Sequence, residues 1–170
     1  REDKSFLELL KLLNHKTDLN IHPSYNSLNH KNLIEEEKKW LEHKIDKKIE
    51  SSRFHFLRFD TETSYATILL KNGIKVDFSM AYGNHSGFRT STSLPFYFFD
   101  LQKNKKTGLK VFTSCFMDST YEYYSSDINS KYEYAKEKCN ALQQEINEFG
   151  GIFIPIFHND LMAKNEWKAL

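Results

Sequence analysis

The sequence predicts an α/β fold in which helices cover a largely parallel sheet, and two observations support this prediction. Segments with apolar residues three and four apart alternate along the chain with short apolar runs typical of strands. Several of these runs, such as GIFIPIF at 151–157, are apolar on both faces, as strands of a covered parallel sheet are. With 170 residues, of which 39% are apolar, the chain suits a single domain, which we assign to residues 1–170.

The first 59 residues predict two helices, each followed by a strand. Apolar residues spaced for one helical face mark the helices: Phe6, Leu9, Leu10 and Leu13 in the first, and Leu33, Ile34, Trp40, Leu41 and Ile45 in the second. The first strand ends at Ile21, and Ser27 is placed to N-cap the second helix. The segment SSRFHFLRF at 51–59 alternates with a period of two, so we predict a strand with Arg53 and His55 on one face and phenylalanines on the other.

The remainder of the chain continues the alternation. Apolar spacing from Tyr65 to Leu69 predicts a third helix that stops at Gly73, because glycine readily adopts the left-handed conformation of a helix end. The clearest helix spans 127–149 and ends at Gly150. Strands are predicted at 75–80, 94–101, 108–116 and 151–157, with a long loop of glycine and hydroxyl residues at 82–93.

Composition narrows the class of protein. The formal net charge is only +1 and lysines are balanced by glutamates, so we expect no nucleic-acid partner. No apolar run approaches the roughly 18–20 residues of a membrane span, and no signal-peptide pattern begins at Arg1. Cys139 lies on an apolar helical stripe, so we expect it and Cys115 to be free buried thiols in a reducing compartment. The expected location is therefore the cytoplasm rather than the outside of the cell.

His22 and Asn26 are the first candidate metal ligands. An imidazole and a second ligand four residues on can face one cation if the segment NIHPSYNS enters a helical turn. The alternative is that Asn26 or Ser27 caps the next helix while His22 forms a local hydrogen bond. Spacing alone favours this alternative, because seven histidines in 170 residues produce such pairs by chance.

Arg53, Asp77 and His158 are the candidate catalytic residues. A buried Arg53 would need a carboxylate partner, and Asp77 on a later strand is the natural one, in an ion pair that is either structural or catalytic. His158 leaves an apolar strand at its carboxyl end, where α/β proteins gather function, and could act there as a general acid or base. The alternative for His158 is to cap the terminal helix, and the two interpretations are equally supported.

Four further residues are candidate carbohydrate contacts: His55, Tyr82, Arg89 and Asp118. Arg89 and Asp118 lie in hydroxyl-rich loops beside aromatic rings. Rings stack on sugar faces, and charged groups of this kind bond sugar hydroxyls. The alternative is plain surface, where loop residues of these types are more often found.

Taken in order, several segments resemble those of the bacterial polysaccharide deacetylase-like proteins in carbohydrate esterase family 4, the NodB-homology superfamily. The resemblance rests on IHPSYNS, SRFHFLRF, VDFSMAYGNHSGFRTSTSLPFYFFDL, FMDSTY and GGIFIPIFHND, and it spans the chain from about the first helix to the end. It implies a distorted or incomplete (β/α) barrel, one divalent metal, often zinc, and hydrolysis of an N-acetyl group on a sugar. A carbohydrate partner is therefore expected.

The resemblance also implies roles for individual residues. HPSYN matches the family's metal motif, with His22 as the first ligand and Asn26 in the second position. Arg53 would orient the catalytic carboxylate, Asp77 would tune the catalytic histidine, and His158 would be that histidine, which protonates the leaving amine.

The chain departs from the family pattern at three points. Asn26 replaces a histidine, and an amide oxygen is a poorer zinc ligand than imidazole. His55 stands where the family has proline. The family's Asp-Asp pair, which supplies a metal ligand and the catalytic base, has no counterpart here, and the lone Asp3 does not match it.

Three classes of function follow from these departures. In the first, the Asp-Asp pair precedes Arg1 in a metal-dependent hydrolase, and residues 1–170 alone are inactive. In the second, the domain binds a glycan without catalysis. In the third, it is a structural domain of a polysaccharide or cell-envelope protein. An incomplete barrel leaves open strand edges and apolar surface, so we also expect pairing of chains or an unusual closure.

Overall fold

The computed structural model of the protein describes residues 3–30, 32–60, 63–124, 131–164 and 167. Within these residues the fold is mixed α/β, as predicted, with six α-helices and six strands. The helices are α1 Lys4–Lys16, α2 Leu33–Ile45, α3 Thr63–Lys71, α4 Asp118–Tyr124, α5 Lys131–Phe149 and α6 Asn159–Met162. The strands are β1 Ser51–Ser52, β2 Val76–Met80, β3 Phe96–Asp100, β4 Lys105–Thr113, β5 Phe116–Met117 and β6 Pro155–Ile156.

The strands form two open sheets. One has the order β1-β2-β4-β3, and the other contains β5 and β6. β1 and β2 are parallel, with Ser52 opposite Asp77, and β5 and β6 are parallel, with Met117 opposite Ile156. β3 and β4 are joined by a four-residue turn, which is long enough only for antiparallel neighbours. The described strands therefore form a parallel-rich arrangement without a closed barrel, and the predicted barrel is not confirmed.

The chain divides into two compact units. The first unit comprises Arg1–Asp77 with Tyr97–Lys110, and the second comprises Phe78–Phe96 with Val111–Leu170. The first unit buries aliphatic and aromatic side chains of its helices, strands and connecting segments, among them Ile34, Ile49, Phe54, Tyr65, Leu69, Ile74 and Leu109. The second unit has one contiguous core: Cys115, Phe116, Tyr121, Ala135, Cys139, Leu142, Leu161 and Trp167. Cys115 and Cys139 are free and buried, as predicted, and burial raises the pKa of both thiols.

Helix ends follow from local chemistry. Asp3 caps α1, because its carboxylate accepts the backbone N–H of Ser5 at 2.8 Å. α3 is followed by Gly73 at φ 73°, which confirms the predicted stop. α5 ends at Phe149 before Gly150 and Gly151, at φ 81° and 123°. A Cβ atom on Gly151 would lie 2.0 Å from the Ser93 hydroxyl, so glycine is also required there for space.

Two predicted elements differ from the structure, and a third lies partly outside the described residues. Ser27 does not cap the second helix; α2 begins at Leu33, and the Ser27 hydroxyl instead donates to the Ser24 carbonyl at 2.6 Å within a turn. The final strand is limited to Pro155–Ile156, because only these residues pair with β5. The start of the helix predicted at 127–149 lies outside the described residues, and its remainder is α5.

The largest difference concerns the segment 51–59. β1 ends at Ser52, and the chain then turns through a 3₁₀ turn at His55–Leu57, where the His55 N–H bonds the Pro23 carbonyl at 3.2 Å. Phe56 adopts φ 56° and is 76% exposed, whereas Phe54 is buried. The alternation of phenylalanines therefore does not mark one buried strand face, since a period of two in the sequence cannot show where strand pairing stops.

Candidate functional site

Each unit places a histidine just beyond the carboxyl end of a parallel strand pair. In the first unit Ile21 forms a parallel bridge with Ser52, and His22 follows Ile21 directly. The chain after Ser52 carries Arg53, whose N–H bonds the Ile21 carbonyl at 3.1 Å, and then His55. Parallel strands bring their carboxyl ends to one edge, so His22 and His55 meet although 33 residues separate them.

The ring of His22 is held by two contacts. Its Nδ1 bonds the backbone carbonyl of Arg53, and its Nε2 lies 3.2 Å from Nδ1 of His55. A carbonyl oxygen only accepts, so Nδ1 of His22 carries the proton and the lone pair of Nε2 faces His55. The two rings meet edge to face, with centroids 5.3 Å apart, and both side chains are exposed.

The His22–His55 pair has a spacing that suits a metal ion. Two nitrogens that each bind zinc at about 2.0–2.1 Å in tetrahedral geometry lie about 3.3 Å apart, close to the 3.2 Å observed. A backbone carbonyl on the second nitrogen is also the usual partner of a metal-bound histidine. Within the described ranges, no cluster of three or more His, Cys, Asp or Glu side chains has metal-binding geometry. The His22–His55 pair would by itself offer an ion two nitrogen donors.

Asn26, the predicted second metal ligand, lies on a turn. Its backbone carbonyl accepts the N–H of Asn29 at 2.9 Å, and its side chain is exposed. The ring of His22 is directed at His55. His55, which we predicted as a substrate contact, therefore takes the place beside His22 that the sequence assigned to Asn26.

A series of aromatic and cation–π contacts extends from His55. Phe56 packs edge to face on His55, with centroids 4.6 Å apart, and on Tyr25 at 5.7 Å. The guanidinium of Arg58 lies 4.7 Å from the centre of the Tyr25 ring. A mainly apolar cavity of about 530 Å³ also borders His22 and is lined by Leu33, Trp40 and Leu41 among others. The left-handed conformation of Phe56 costs free energy in a bulky residue, and such strain is concentrated at functional sites.

The second unit repeats the strand-end arrangement with different partners. Asp118 directly follows β5, and His158 lies two residues after the end of β6. Because these strands are parallel and in register at Met117 and Ile156, the two side chains leave the same edge. His158 Nδ1 lies 2.6 Å from Asp118 Oδ1, and the His158 backbone N–H donates to Asp118 Oδ2 at 2.6 Å.

Asp118 is built to hold the His158 ring. The carboxylate is completely buried, and the backbone N–H of Ser119 also donates to Oδ1 at 2.7 Å. The side chain of His158 remains 40% exposed. A carboxylate on Nδ1 keeps the proton there and leaves Nε2 to exchange protons with other groups. This is the arrangement that a histidine acting as general acid or base requires.

Two aspartates have partners that their predicted roles did not anticipate. Asp118 was predicted to contact substrate, but its side chain is buried and both oxygens accept hydrogen bonds within the protein. Asp77 was predicted to tune His158; the ring of His158 is instead held by Asp118. Asp77 is buried and accepts the Ser52 hydroxyl at 2.8 Å. The signal that could have identified Asp118 was present, since FMD leaves an apolar strand just as GIFIPIFH does.

The remaining predicted site residues differ in their contacts. His158 occupies the N-cap position of α6, but its side chain makes no capping hydrogen bond. Arg89 donates to the Ala81 carbonyl at 3.3 Å within the 82–93 loop region. The Tyr82 ring stacks on His85 with centroids 3.9 Å apart. Arg53 is half-buried, and its backbone carbonyl orients His22.

Comparisons with known proteins leave the family open. No family model matches the chain, and no curated protein matches it either. In the part of the chain that the structure describes, none of the helices has the length and apolar character needed to cross a membrane.

Proposed function

We propose that this protein is a carbohydrate-acting domain of the polysaccharide deacetylase type, with the reaction being removal of an acetyl group from an N-acetylated sugar. The observation that carries the proposal is the pair formed by His158 and the buried Asp118 at the ends of two parallel strands. The segments that resemble the family contribute both members of this pair, His158 in GGIFIPIFHND and Asp118 in FMDSTY.

In this proposal His158 transfers the proton. Hydrolysis adds water to the amide carbonyl carbon and breaks the C–N bond, which yields acetate and a free amine on the sugar. The amine nitrogen must receive a proton as the bond breaks, because an amide anion is a very poor leaving group. Nε2 of His158 is free of the Asp118 contact and partly exposed, and the carboxylate stabilises the imidazolium that donates this proton.

For the first unit we propose separately that His22 and His55 bind a divalent metal, with zinc as the expected ion. Their nitrogens lie 3.2 Å apart, which is close to the spacing of two adjacent zinc ligands, and the lone pair of His22 Nε2 is on the side of His55. When bound, a metal of this kind lowers the pKa of its water and polarises carbonyl oxygens. The family has a second metal-binding histidine where this chain has Asn26. In this proposal, His55 provides the second imidazole instead.

The test is acetate release from the tetramer of N-acetylglucosamine by the protein in its full natural length, with zinc added. We expect His158→Ala to lower kcat by about 10²- to 10⁴-fold, the usual contribution of a general acid. The matched control is His43→Ala, since His43 is an exposed histidine on α2 and should leave kcat unchanged.

Two results would contradict the proposal. Acetate release that His158→Ala leaves intact would remove this histidine from the reaction. Binding of the tetramer without any acetate release by the unmodified protein would show a glycan-binding domain rather than a hydrolase. Comparable far-ultraviolet circular dichroism spectra of the variants would exclude misfolding as the cause of a loss.

A further inference from the structure

A second cavity, of about 290 Å³, lies within the second unit beside the helix that begins with Asp118. Its wall combines the 82–93 loop, α4 and α5, through Ser86, Tyr121, Tyr124, Tyr134 and Lys138 among other residues. The predicted substrate contacts do not include any of these residues. The volume is close to the lower end of the range for small-molecule sites and suits a single sugar ring.

Three tyrosine rings surround this cavity. Tyr121 is 5% exposed and packs edge to face against Tyr134, with centroids 5.8 Å apart. Tyr134 and Tyr124 remain 47% and 67% exposed, although both line the cavity. Rings of this kind offer apolar faces to the C–H face of a sugar, and their hydroxyl groups can bond the sugar's own hydroxyls.

Polar groups also line the cavity. The Tyr121 and Ser86 hydroxyls bond each other at 2.6 Å, and burial raises the pKa of Tyr121, so its phenol stays protonated at neutral pH. The Thr120 hydroxyl donates to the Gly83 carbonyl at 3.1 Å, which ties α4 to the loop. Lys138 extends over the Tyr134 ring at 5.3 Å, so its ammonium group is placed at the cavity wall.

We propose that this cavity binds one ring of an N-acetylated saccharide, with Tyr124 and Tyr134 stacking on the ring and with Tyr121 and Lys138 bonding its oxygens. The saccharide class rests on the proposed function. The geometry links the cavity to His158 through α4. This helix begins with Asp118, whose carboxylate holds His158, and it carries Tyr121 and Tyr124 further along. A phosphate ligand fits less well, because it calls for several cations or converging backbone N–H groups, and Lys138 is the one lysine on the described wall.

The test is isothermal titration calorimetry of the whole chain with the tetramer of N-acetylglucosamine. We expect Tyr134→Ala and Tyr124→Ala each to weaken binding by about 3- to 10-fold, which is the loss of one ring contact. Tyr121→Phe keeps the ring and removes the hydroxyl, and should also weaken binding several-fold. The matched control is Tyr97→Ala: Tyr97 is 44% exposed and carries Lys106 over its ring at 4.0 Å, but belongs to the first unit.

The outcomes separate this inference from the proposed function. No binding by the unmodified chain, or equal losses in Tyr134→Ala and Tyr97→Ala, would overturn the saccharide site. Acetate release that depends on His158 would in those cases still support the hydrolase. Binding that Tyr134→Ala weakens, without acetate release by the full-length protein, would support the saccharide site and contradict the hydrolase.

Discussion

The two strand-end histidines differ in what holds the Nδ1 position. In the first unit, Nδ1 of His22 donates to the backbone carbonyl of Arg53, and Nε2 faces a second imidazole, that of His55. In the second unit, Nδ1 of His158 bonds the buried carboxylate of Asp118, and Nε2 is free of that contact. Both arrangements fix a tautomer, but one supports the ring with a neutral dipole and the other with a negative charge.

In the proposed function, this difference gives the two histidines different chemical roles. A carboxylate stabilises the positive charge that appears when an imidazole takes up a proton, which suits His158 to proton transfer. A carbonyl orients His22 without a compensating negative charge, and its lone pair faces another nitrogen donor. That arrangement suits a neutral metal ligand. Similar strand-end positions therefore support two different roles because their hydrogen-bond partners differ.

The largest expected effect comes from removing the charge behind His158. Asp118→Asn keeps the shape of the side chain but turns one acceptor into a donor, so the ring of His158 can adopt the wrong tautomer. We expect kcat for acetate release to fall by about 10²- to 10⁴-fold. The variant should also lose about 1.5–3 kcal/mol of stability, since charge-assisted hydrogen bonds to backbone groups are weakened.

The control for Asp118→Asn lies in the first unit. Asp18→Asn removes an exposed carboxylate whose partner is Lys47, and should leave kcat unchanged. Steady-state kinetics at saturating substrate, with urea unfolding of each variant, would measure both effects. An Asp118→Asn protein with normal kcat would show that the partner of His158 is structural only.

Local sequence patterns predicted much of the scaffold but little of the pairing within it. Apolar spacing located α1, α3 and α5, and glycine chemistry located the ends of α3 and α5. These features depend on residues a few positions apart. The partner of His158 lies 40 residues away, and that of His22 lies 33 residues away. Such pairs are set by strand register, which a single sequence does not show.

The turn at His55–Leu57 shows the same limit. The alternating segment looks like a long strand, yet pairing ends at Ser52, and Phe56 then takes a left-handed conformation. The backbone contact with residues 21–23 continues to His55, whose N–H bonds the Pro23 carbonyl, and the His55 ring lies beside His22. The alternation within 51–59 shows neither where strand pairing stops nor which segment lies alongside, so the sequence does not show that His55 meets His22.

A smaller effect is expected for zinc binding by His22 and His55. We expect His22→Ala and His55→Ala each to lower zinc affinity by at least 10-fold, because two ligands share one ion. Asn26→Ala should change the affinity little, since Asn26 lies on a turn with its side chain exposed. Zinc binding can be measured by competition with a chromogenic chelator at pH 7.5. A loss in Asn26→Ala equal to that in His55→Ala would restore the pairing predicted from the sequence.

The smallest expected effect contrasts one carboxylate in each unit. Glu122 accepts hydrogen bonds from Lys131 and Lys164, each at 2.7 Å, and from the indole of Trp167, which together lower its pKa from 4.5 to about 2. Glu42 is as little exposed and is bonded by Lys38 and by the Ile49 N–H. Burial raises the pKa of Glu42 and these contacts lower it, with the result that its pKa is lowered.

The pH dependence should therefore differ between Glu122 and Glu42. A lowered carboxyl pKa in the folded state stabilises the protein above the unfolded value near 4.5, and that contribution is lost as the pH falls toward 2. We expect Glu122→Gln to cost about 2 kcal/mol at pH 7, after allowing for solvent screening of the lysines, and almost nothing at pH 2. Urea unfolding at pH 7, 4 and 2 measures the difference. Glu42→Gln should lower the free energy of unfolding by less at pH 7, because burial penalises the charge that the partners of Glu42 stabilise. This loss should also shrink as the pH falls. A larger loss than that of Glu122→Gln would mean that desolvation does not explain the difference between the two carboxylates.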